Sequence, residues 1–166
     1  DRFRLFIPLG FAEMNHLRAE RYFDARRRGY ELISYVSSKA ITWPGFTCGD
    51  NCFILEGNNI QPFASIGNNV VMWSFNHIGH HSVIKDHVML TSNVVIAGGC
   101  TIEEYCFLGA NATIRDETVV AHDTLVGMDA SIQADTREFE IYRAPDLEPA
   151  RVRSDELFAI AHKSKG

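Results

Sequence analysis

The sequence predicts an all-β chain wound as a parallel β-helix, with a small strand–helix–strand α/β unit at its N-terminus. Three observations lead to this fold class. An aliphatic residue or methionine recurs at every sixth position through the middle of the chain. A smaller residue stands two positions before each of them. One helical pattern between two short apolar stretches precedes the repeat.

The six-residue repeat begins at Ile54 and continues without an insertion to Ile132. The register that starts at Leu55 contains only that one aliphatic residue, so the period does not arise from apolar composition alone. A helix needs a period of about 3.6 and an ordinary strand a period of about 2. A strict six therefore fits short strands joined by tight corners. The repeated positions are Ile54, Ile60, Ile66, Met72, Ile78, Ile84, Leu90, Ile96, Ile102, Leu108, Ile114, Val120, Val126 and Ile132.

The second register, two residues earlier, holds small or medium-sized side chains that let a corner close around the larger residue. Gly or Asn often stands three residues after the aliphatic position, and both types tolerate the left-handed backbone of a tight corner. The clearest corner positions are Gly57, Asn69, Asn93, Gly99 and Asn111. The small register contains Cys52, Asn58, Ala64, Val70, Asn76, Ser82, Val88, Val94, Cys100, Cys106, Ala112, Thr118, Thr124 and Ala130.

The pattern divides the chain into three parts, which we expect at residues 1–40, 41–135 and 136–166. In the first, residues 5–10 predict a strand, 11–28 a helix closed by Gly29, and 30–36 a second strand. Two strands cannot form a stable sheet alone, so this unit must pack on other structure. The third part is predicted to contain a short helix from Ser154. The residues expected to be buried in the first helix are Ala12, Met14, Leu17, Tyr22 and Phe23.

Charge and hydropathy limit the classes of binding partner. The net charge of −5 argues against nucleic-acid binding, and no apolar run approaches the roughly 18 residues of a membrane span. We therefore expect a cytoplasmic protein without a nucleic-acid or membrane partner. Cys52, Cys100 and Cys106 fall in the small register and Cys48 in an extension of the aliphatic one. All four are expected to be buried thiols, with no disulfide and no zinc.

Histidines gather in one coil. His77, His80, His81 and His87 lie within eleven residues, and His80 and His81 fall outside both inward registers. A lone histidine at a polar surface corner would carry no functional meaning. Four in one coil favour a site for acid–base chemistry, since an imidazole titrates near neutral pH.

Three segments resemble the sialic acid O-acetyltransferase-like family of hexapeptide-repeat sugar acyltransferases, which includes nucleotide-linked amino-sugar N-acetyltransferases. The resemblance implies a left-handed β-helix with three hexapeptides, about 18 residues, in each coil. It also implies acetyl-CoA as acyl donor, no metal, a sugar or nucleotide-sugar substrate, and a homotrimer with sites between subunits. The first unit would then be the remnant of a larger sugar-nucleotide-binding domain. The segments are Ile78-Gly79-His80-His81-Ser82-Val83-Ile84, Ile96-Ala97-Gly98-Gly99-Cys100-Thr101-Ile102 and Phe107-Leu108-Gly109-Ala110-Asn111-Ala112-Thr113-Ile114.

The family's catalytic base falls on His80. His81 occupies the next position, where members often place an acidic residue that polarises the base. Residues about 18 apart stack in such a fold, so His80 should lie between Pro62 and Gly98. The backbone N–H of Gly98 is then a candidate donor to a developing oxyanion.

The resemblance also implies binding residues. The coenzyme contacts are expected at Met89, Ala97, Gly98, Ala110 and Met128, and the substrate contacts at Asn76 and His77.

The reaction implied is direct transfer of an acetyl group to a sugar amine or hydroxyl, with His80 as general base. Two other functions remain open at this point. One is a β-helix scaffold without catalytic activity, because fold does not imply function. The other is a zinc hydratase of the γ-carbonic anhydrase type, which needs three histidines around one metal, with an H-x4-H pair on one coil. No two of the histidines in the repeat, His77, His80, His81, His87 and His122, are five positions apart.

Overall fold

In a computed structural model, which describes residues 3–151 and residue 153, the repeat folds into three parallel sheets. The sheets form the three sides of a prism, and each coil adds strands to them. The predicted left-handed parallel β-helix is confirmed. Sheet I has seven strands, sheet II has six and sheet III has four. Paired strands are one coil apart, as with Val83 opposite Thr101 and Ile84 opposite Ile102.

The strands are two residues long and occupy the predicted repeat positions. Sheet I contains Tyr35–Val36, Phe53–Ile54, Val71–Met72, Met89–Leu90, Phe107–Leu108, Leu125–Val126 and Ile141–Tyr142. Sheet II contains Ile41–Thr42, Asn59–Ile60, His77–Ile78, Val95–Ile96, Thr113–Ile114 and Ser131–Ile132. Sheet III contains Ser65–Ile66, Val83–Ile84, Thr101–Ile102 and Val119–Val120.

Both inward registers fill the prism. Ile84 is 1% exposed, and Ile102 and Val120 are fully buried. The predicted corner residues adopt positive φ, including Asn69 at 55° and Gly99 at 69°. A corner that turns through the left-handed region reverses the chain in few residues, which explains the preference for Gly and Asn there. We name the corners I/II, II/III and III/I after the sheets they join.

The N-terminal unit is smaller than predicted. Strand Arg4–Leu5 pairs in parallel with Glu31–Leu32, and helix α1 covers His16–Arg27. Tyr35–Val36, expected in the same unit, pairs instead with Phe53–Ile54 and opens sheet I. The helix begins later than predicted because residues 13–15 have positive φ and form a turn.

This unit lies against sheet I. Phe6 contacts Phe53 with ring centroids 5.5 Å apart, and Phe11 contacts Phe107 at 5.1 Å. The unit therefore packs on the prism, as expected for two strands that cannot form a stable sheet alone, and it covers one face of sheet I. Of the residues expected to be buried on the helix, Tyr22 is buried, but Phe23 is 43% exposed and Ala12 is exposed.

Arg18 of α1 is a charged side chain that was not predicted to be buried. It is fully buried and donates to the backbone oxygens of Gly10, His87 and Val88, among others. Burial lowers the pKa of its guanidinium to about 10, so the group stays charged at neutral pH. Asn15, also fully buried, donates to the carbonyl oxygens of Tyr105 and Cys106. Hydrogen bonds therefore attach helix α1 to corner III/I.

The chain beyond residue 135 adds one more strand to the prism. Strand Ile141–Tyr142 pairs with Leu125–Val126 and extends sheet I. The helix expected from Ser154 lies outside the described residues. Over the described residues, no helix has the length and apolar character to cross a membrane.

The cysteines follow the register with one exception. Cys52, Cys100 and Cys106 are fully buried, whereas Cys48 is half-buried. Burial raises the pKa of the Cys106 thiol to about 12, which keeps it protonated and unreactive.

Candidate active site

The site is built on corner II/III, between strands His77–Ile78 and Val83–Ile84. His81 takes the left-handed position there, with φ of 60°, and its N–H donates to the Pro62 carbonyl at 3.2 Å. Gly99 N–H donates in turn to the His80 carbonyl at 2.9 Å. Both side chains are exposed. The backbone bonds between coils therefore fix the corner while leaving the two imidazoles free to meet a ligand.

His80 lies directly on the backbone of Gly98, as the spacing predicted. A Cβ placed on Gly98 would come within 2.7 Å of His80 Cε1 and 2.8 Å of Nε2. Only a glycine leaves room for the ring in this position. No backbone carbonyl of the described residues accepts a hydrogen bond from the Gly98 N–H. The imidazole of His80 therefore lies beside a backbone segment whose N–H has no carbonyl acceptor among the described residues.

The two histidines are coupled through their ring nitrogens. His80 Nδ1 and His81 Nδ1 are 3.2 Å apart. One of them must donate and the other accept, since two neutral imidazoles share a single N–H in such a contact. His80 keeps a lone pair on Nε2 only when its proton is on Nδ1 and is donated to His81. His81 can in this way hold its neighbour in the tautomer that acts as a base at Nε2.

A shallow cleft of about 340 Å³ opens beside this pair. Gly98, Gly99, Asp116 and Glu117 line it together with the two histidines. The two acidic residues stand two coils beyond His80 and His81, and the glycines between them have no side chains. Sequence reasoning missed both carboxylates, although the stacking rule that placed Gly98 would have placed them too.

The expected coenzyme contacts divide between two corners. Ala97 and Gly98 belong to corner II/III, and Ser82 Oγ donates to the Ala97 carbonyl at 2.9 Å. Ala110 and Met128 belong to corner I/II, across sheet II. Met128 is 63% exposed and lines a larger cavity of about 730 Å³ with Arg143. One copy of the chain does not bring the two groups together.

Two of the expected site residues do not fit a ligand contact. Met89 is 2% exposed and faces the side of sheet I that the N-terminal unit covers. Asn76 is 1% exposed and points inward, where it donates to Asn58 Oδ1 and the Trp73 carbonyl. Its Oδ1 also accepts the N–H of Val94. The assignments of Met89 to the coenzyme and Asn76 to the substrate are therefore corrected.

The four histidines that are close in sequence do not form one cluster in the structure. His77 lies on the outer face of sheet II and is partly exposed. His87 lies at corner III/I under α1, 2% exposed, with Nδ1 2.8 Å from Asn69 Nδ2. Desolvation lowers the pKa of His87 to about 4, so it remains neutral. Its ring packs against Tyr22 and Phe23 of α1. Over the described residues, no three His, Cys, Asp or Glu side chains gather to hold a metal ion.

Comparison with known proteins supports the repeat. Residues 81–116 match the family model described as bacterial transferase hexapeptide (six repeats). No curated protein sequence matches the chain. Several solved structures do. The chain has the fold of the hexapeptide-repeat transferases.

One such structure is a mutant of perosamine N-acetyltransferase from Caulobacter crescentus in complex with CoA and GDP-perosamine. It superposes with a TM-score of 0.74 and 23% identity over 83% of this chain and 63% of that one. The acetyltransferase domain of PglB from Neisseria gonorrhoeae, in complex with acetyl coenzyme A, gives 0.74 and 19% over 76% and 62%. The N-acyltransferase AntD from Bacillus cereus gives 0.62 and 12% over 86% and 95%. The chain spans less than two thirds of the first two proteins.

Proposed function

We propose that this chain transfers the acetyl group of acetyl-CoA directly to a sugar, with His80 as general base. The observation that carries the proposal is the placement of the His80 imidazole on the bare backbone of Gly98. The general base must reach the attacking nucleophile and the oxyanion donor must reach the thioester carbonyl under attack, and two adjacent groups can do both. The likeness to folds that bind CoA or acetyl coenzyme A supports the donor.

In the proposed reaction, the acceptor nitrogen or oxygen attacks the thioester carbonyl while His80 Nε2 removes its proton. The carbonyl oxygen becomes negative and accepts a hydrogen bond from the Gly98 N–H. When the intermediate collapses, the bond to sulfur breaks and the imidazolium of His80 returns its proton to the CoA thiolate. The products are the acetylated sugar and CoA with a free thiol. No covalent intermediate with the chain is needed.

The proposed assembly is a homotrimer with each site between two copies. Ala97 and Gly98 of one copy would face Ala110 and Met128 of the next, which joins coenzyme contacts that one chain keeps apart. Sheet I is covered by the N-terminal unit, whereas Val83 on sheet III and Val95 on sheet II are 37% and 41% exposed. Those two faces are therefore available to a second copy.

The acceptor is proposed to be a nucleotide-linked amino sugar or a sugar hydroxyl, with His77 beside it on the sheet II face. The perosamine enzyme of the same fold binds GDP-perosamine, which supports this class of acceptor.

A turnover assay tests the proposal. The protein is incubated with acetyl-CoA and a panel of nucleotide-linked amino sugars and hydroxyl sugars, and free thiol and acetylated product are measured. Binding of acetyl-CoA is measured separately by calorimetry. We expect saturable binding and an acetylated product with at least one acceptor. Absence of acetyl-CoA binding at millimolar concentration would contradict an acyltransferase and favour a scaffold.

A further inference from the structure

Aromatic rings line corner II/III on one side of His80 only. The rings of Trp43 and Phe63 have centroids 5.8 Å apart, and those of Phe63 and His81 are 4.8 Å apart. On the other side of the histidines the same corner carries Gly98 and Gly99, with no side chains at all. The surface therefore changes from aromatic to bare backbone at the level of the imidazole pair.

Phe63 occupies a position that its residue type does not favour. Its φ is 64°, in the left-handed region where Asn69 and Asn93 show the usual choice at equivalent corners. A bulky residue there is strained. Phe75 and Phe139 share this backbone conformation and a similar exposure, so Phe63 is singled out by its contact with the imidazole pair and not by the strain. Burial does not compensate, because Phe63 is 64% exposed. Tyr105, another aromatic corner residue, is covered by the His16 ring at 4.2 Å.

Trp43 carries a second unfavourable feature at the same place. Its indole Nε1 is buried, and it has no hydrogen-bond partner among the described residues. A buried donor without an acceptor destabilises the folded state. The two rings are thus held side by side although neither the backbone nor the hydrogen bonding favours the arrangement. Core packing does not explain it, since the outer face of Phe63 remains open to solvent.

We propose that Phe63 and Trp43 form the platform on which the acceptor sugar lies, with the sugar ring against Phe63. This inference rests on the proposed function. The acceptor nucleophile must come within about 3 Å of His80 Nε2. The thioester requires the Gly98 side for its oxyanion, so the acceptor must approach from the Phe63 side. The Phe63 ring contacts His81, which in turn contacts His80, so a sugar ring on Phe63 lies beside the imidazole pair with its nucleophile directed towards His80.

The chemistry of the platform suits a sugar ring. An aromatic face offers a flat apolar surface to the C–H groups on one side of the ring, while hydroxyls and amines at the ring edge remain free for polar partners. Trp43, one ring further from His80, is positioned for whatever substituent extends from the far side of the sugar. Phe63 is therefore assigned to acceptor affinity and not to the chemical step.

The test compares Phe63→Asn with a matched control, Phe139→Asn. Phe139 also has positive φ, at 62°, is 68% exposed and packs edge-on against a histidine, but it lies near corner III/I. Asparagine suits the left-handed backbone in both variants. With the fastest acceptor of the panel, Phe63→Asn should raise the acceptor KM roughly tenfold. The acetyl-CoA KM should not rise and the thermal midpoint should not fall in Phe63→Asn. The control Phe139→Asn should leave the KM values for acceptor and acetyl-CoA unchanged.

A fluorescence titration separates this inference from the proposed function. In a Trp73→Phe background, Trp43 is the remaining tryptophan, and methyl glucosaminide serves as a probe without a nucleotide. Saturable quenching that disappears in Phe63→Asn supports the platform even where no acetyl transfer occurs. Unchanged acceptor KM and unchanged quenching in Phe63→Asn would overturn it. A change in oligomeric mass in Phe63→Asn would also overturn it, because a second copy of the chain would then cover the ring.

Discussion

The imidazole of His80 rests on the backbone of Gly98, one coil away, in a space that a single methyl group would fill. This relationship joins the fold to the proposed chemistry. The six-residue period brings every third corner into register, and the glycine leaves the ring in contact with a backbone N–H. Changes to either residue therefore test the site without touching the core.

Gly98→Ala should remove activity while the fold is kept. The new Cβ would meet His80 within 2.7–3.2 Å and displace the ring from the corner. The control is Gly10→Ala, because a Cβ at Gly10 meets nothing within 4 Å. We expect turnover to fall by at least about tenfold in Gly98→Ala, with the unfolding midpoint close to that of the control. Full activity in Gly98→Ala would show that the contact does not matter.

Ile84→Asp should prevent folding. Ile84 is 1% exposed inside the prism, and an unpaired carboxylate there has no partner to compensate its desolvation. The neighbouring Val83 is 37% exposed on the outer face of the same strand, so Val83→Asp is the matched control. Circular dichroism should show loss of β structure in the first variant and its retention in the second. Two equally folded variants would contradict the inward register.

Arg18→Met should release the N-terminal unit from the prism. The backbone oxygens of Gly10, Asn69 and His87 accept from the guanidinium and would lose that partner. Each buried group left unsatisfied costs about 1–3 kcal/mol. Arg21→Met is the control, because the Arg21 side chain is 54% exposed on the same helix. Hydrogen exchange in residues 16–27 should accelerate strongly in Arg18→Met and little in Arg21→Met, while exchange in sheet III stays slow.

The segment after the last coil should be held more weakly at high pH. His122 Nδ1 lies 3.0 Å from Asp123 Oδ2, and Nε2 lies 3.1 Å from Glu138 Oε2. The hydrogen bond to Asp123 raises the pKa of His122 above its ordinary value. His16 Nε2, 2.6 Å from Asp123 Oδ1, faces the same carboxylate.

A raised folded-state pKa means that the contribution of His122 is fully present below its unfolded pKa of about 6.5. The contribution is lost as pH rises through the folded pKa. Hydrogen exchange in residues 136–142 should therefore accelerate as pH rises above the folded-state pKa of His122. This acceleration should exceed the ordinary base-catalysed increase, which exchange in sheet III measures as a reference. His122→Gln should remove the difference. The same excess rise in the variant would assign it to another group.

The sequence predicted the parts of this molecule that depend on period. Ile84 and Val120 point inward because a six-residue repeat fixes which side chains face the axis, and Gly98 lies beside His80 for the same reason. Asn76 could have been excluded from the site on this ground, since it belongs to the small inward register.

Other features depend on packing between distant segments, which no local pattern records. Met89 stands at an outward position and is buried only because the N-terminal unit lies across sheet I. Arg18 is buried because carbonyl oxygens of corner III/I happen to meet its guanidinium. The exposure of Ala12 follows from the late start of α1, which a run of positive φ before it sets.

The most direct test of the proposed chemistry is the turnover of His80→Ala beside its affinity for acetyl-CoA. A general base acts in the transition state, so turnover should fall by roughly 100-fold or more while the Kd for acetyl-CoA changes little. With an amine acceptor, the deficit should shrink as pH rises towards the pKa of that amine. Near-full activity of His80→Ala at neutral pH, together with loss of activity in His77→Ala, would contradict the assignment of the base.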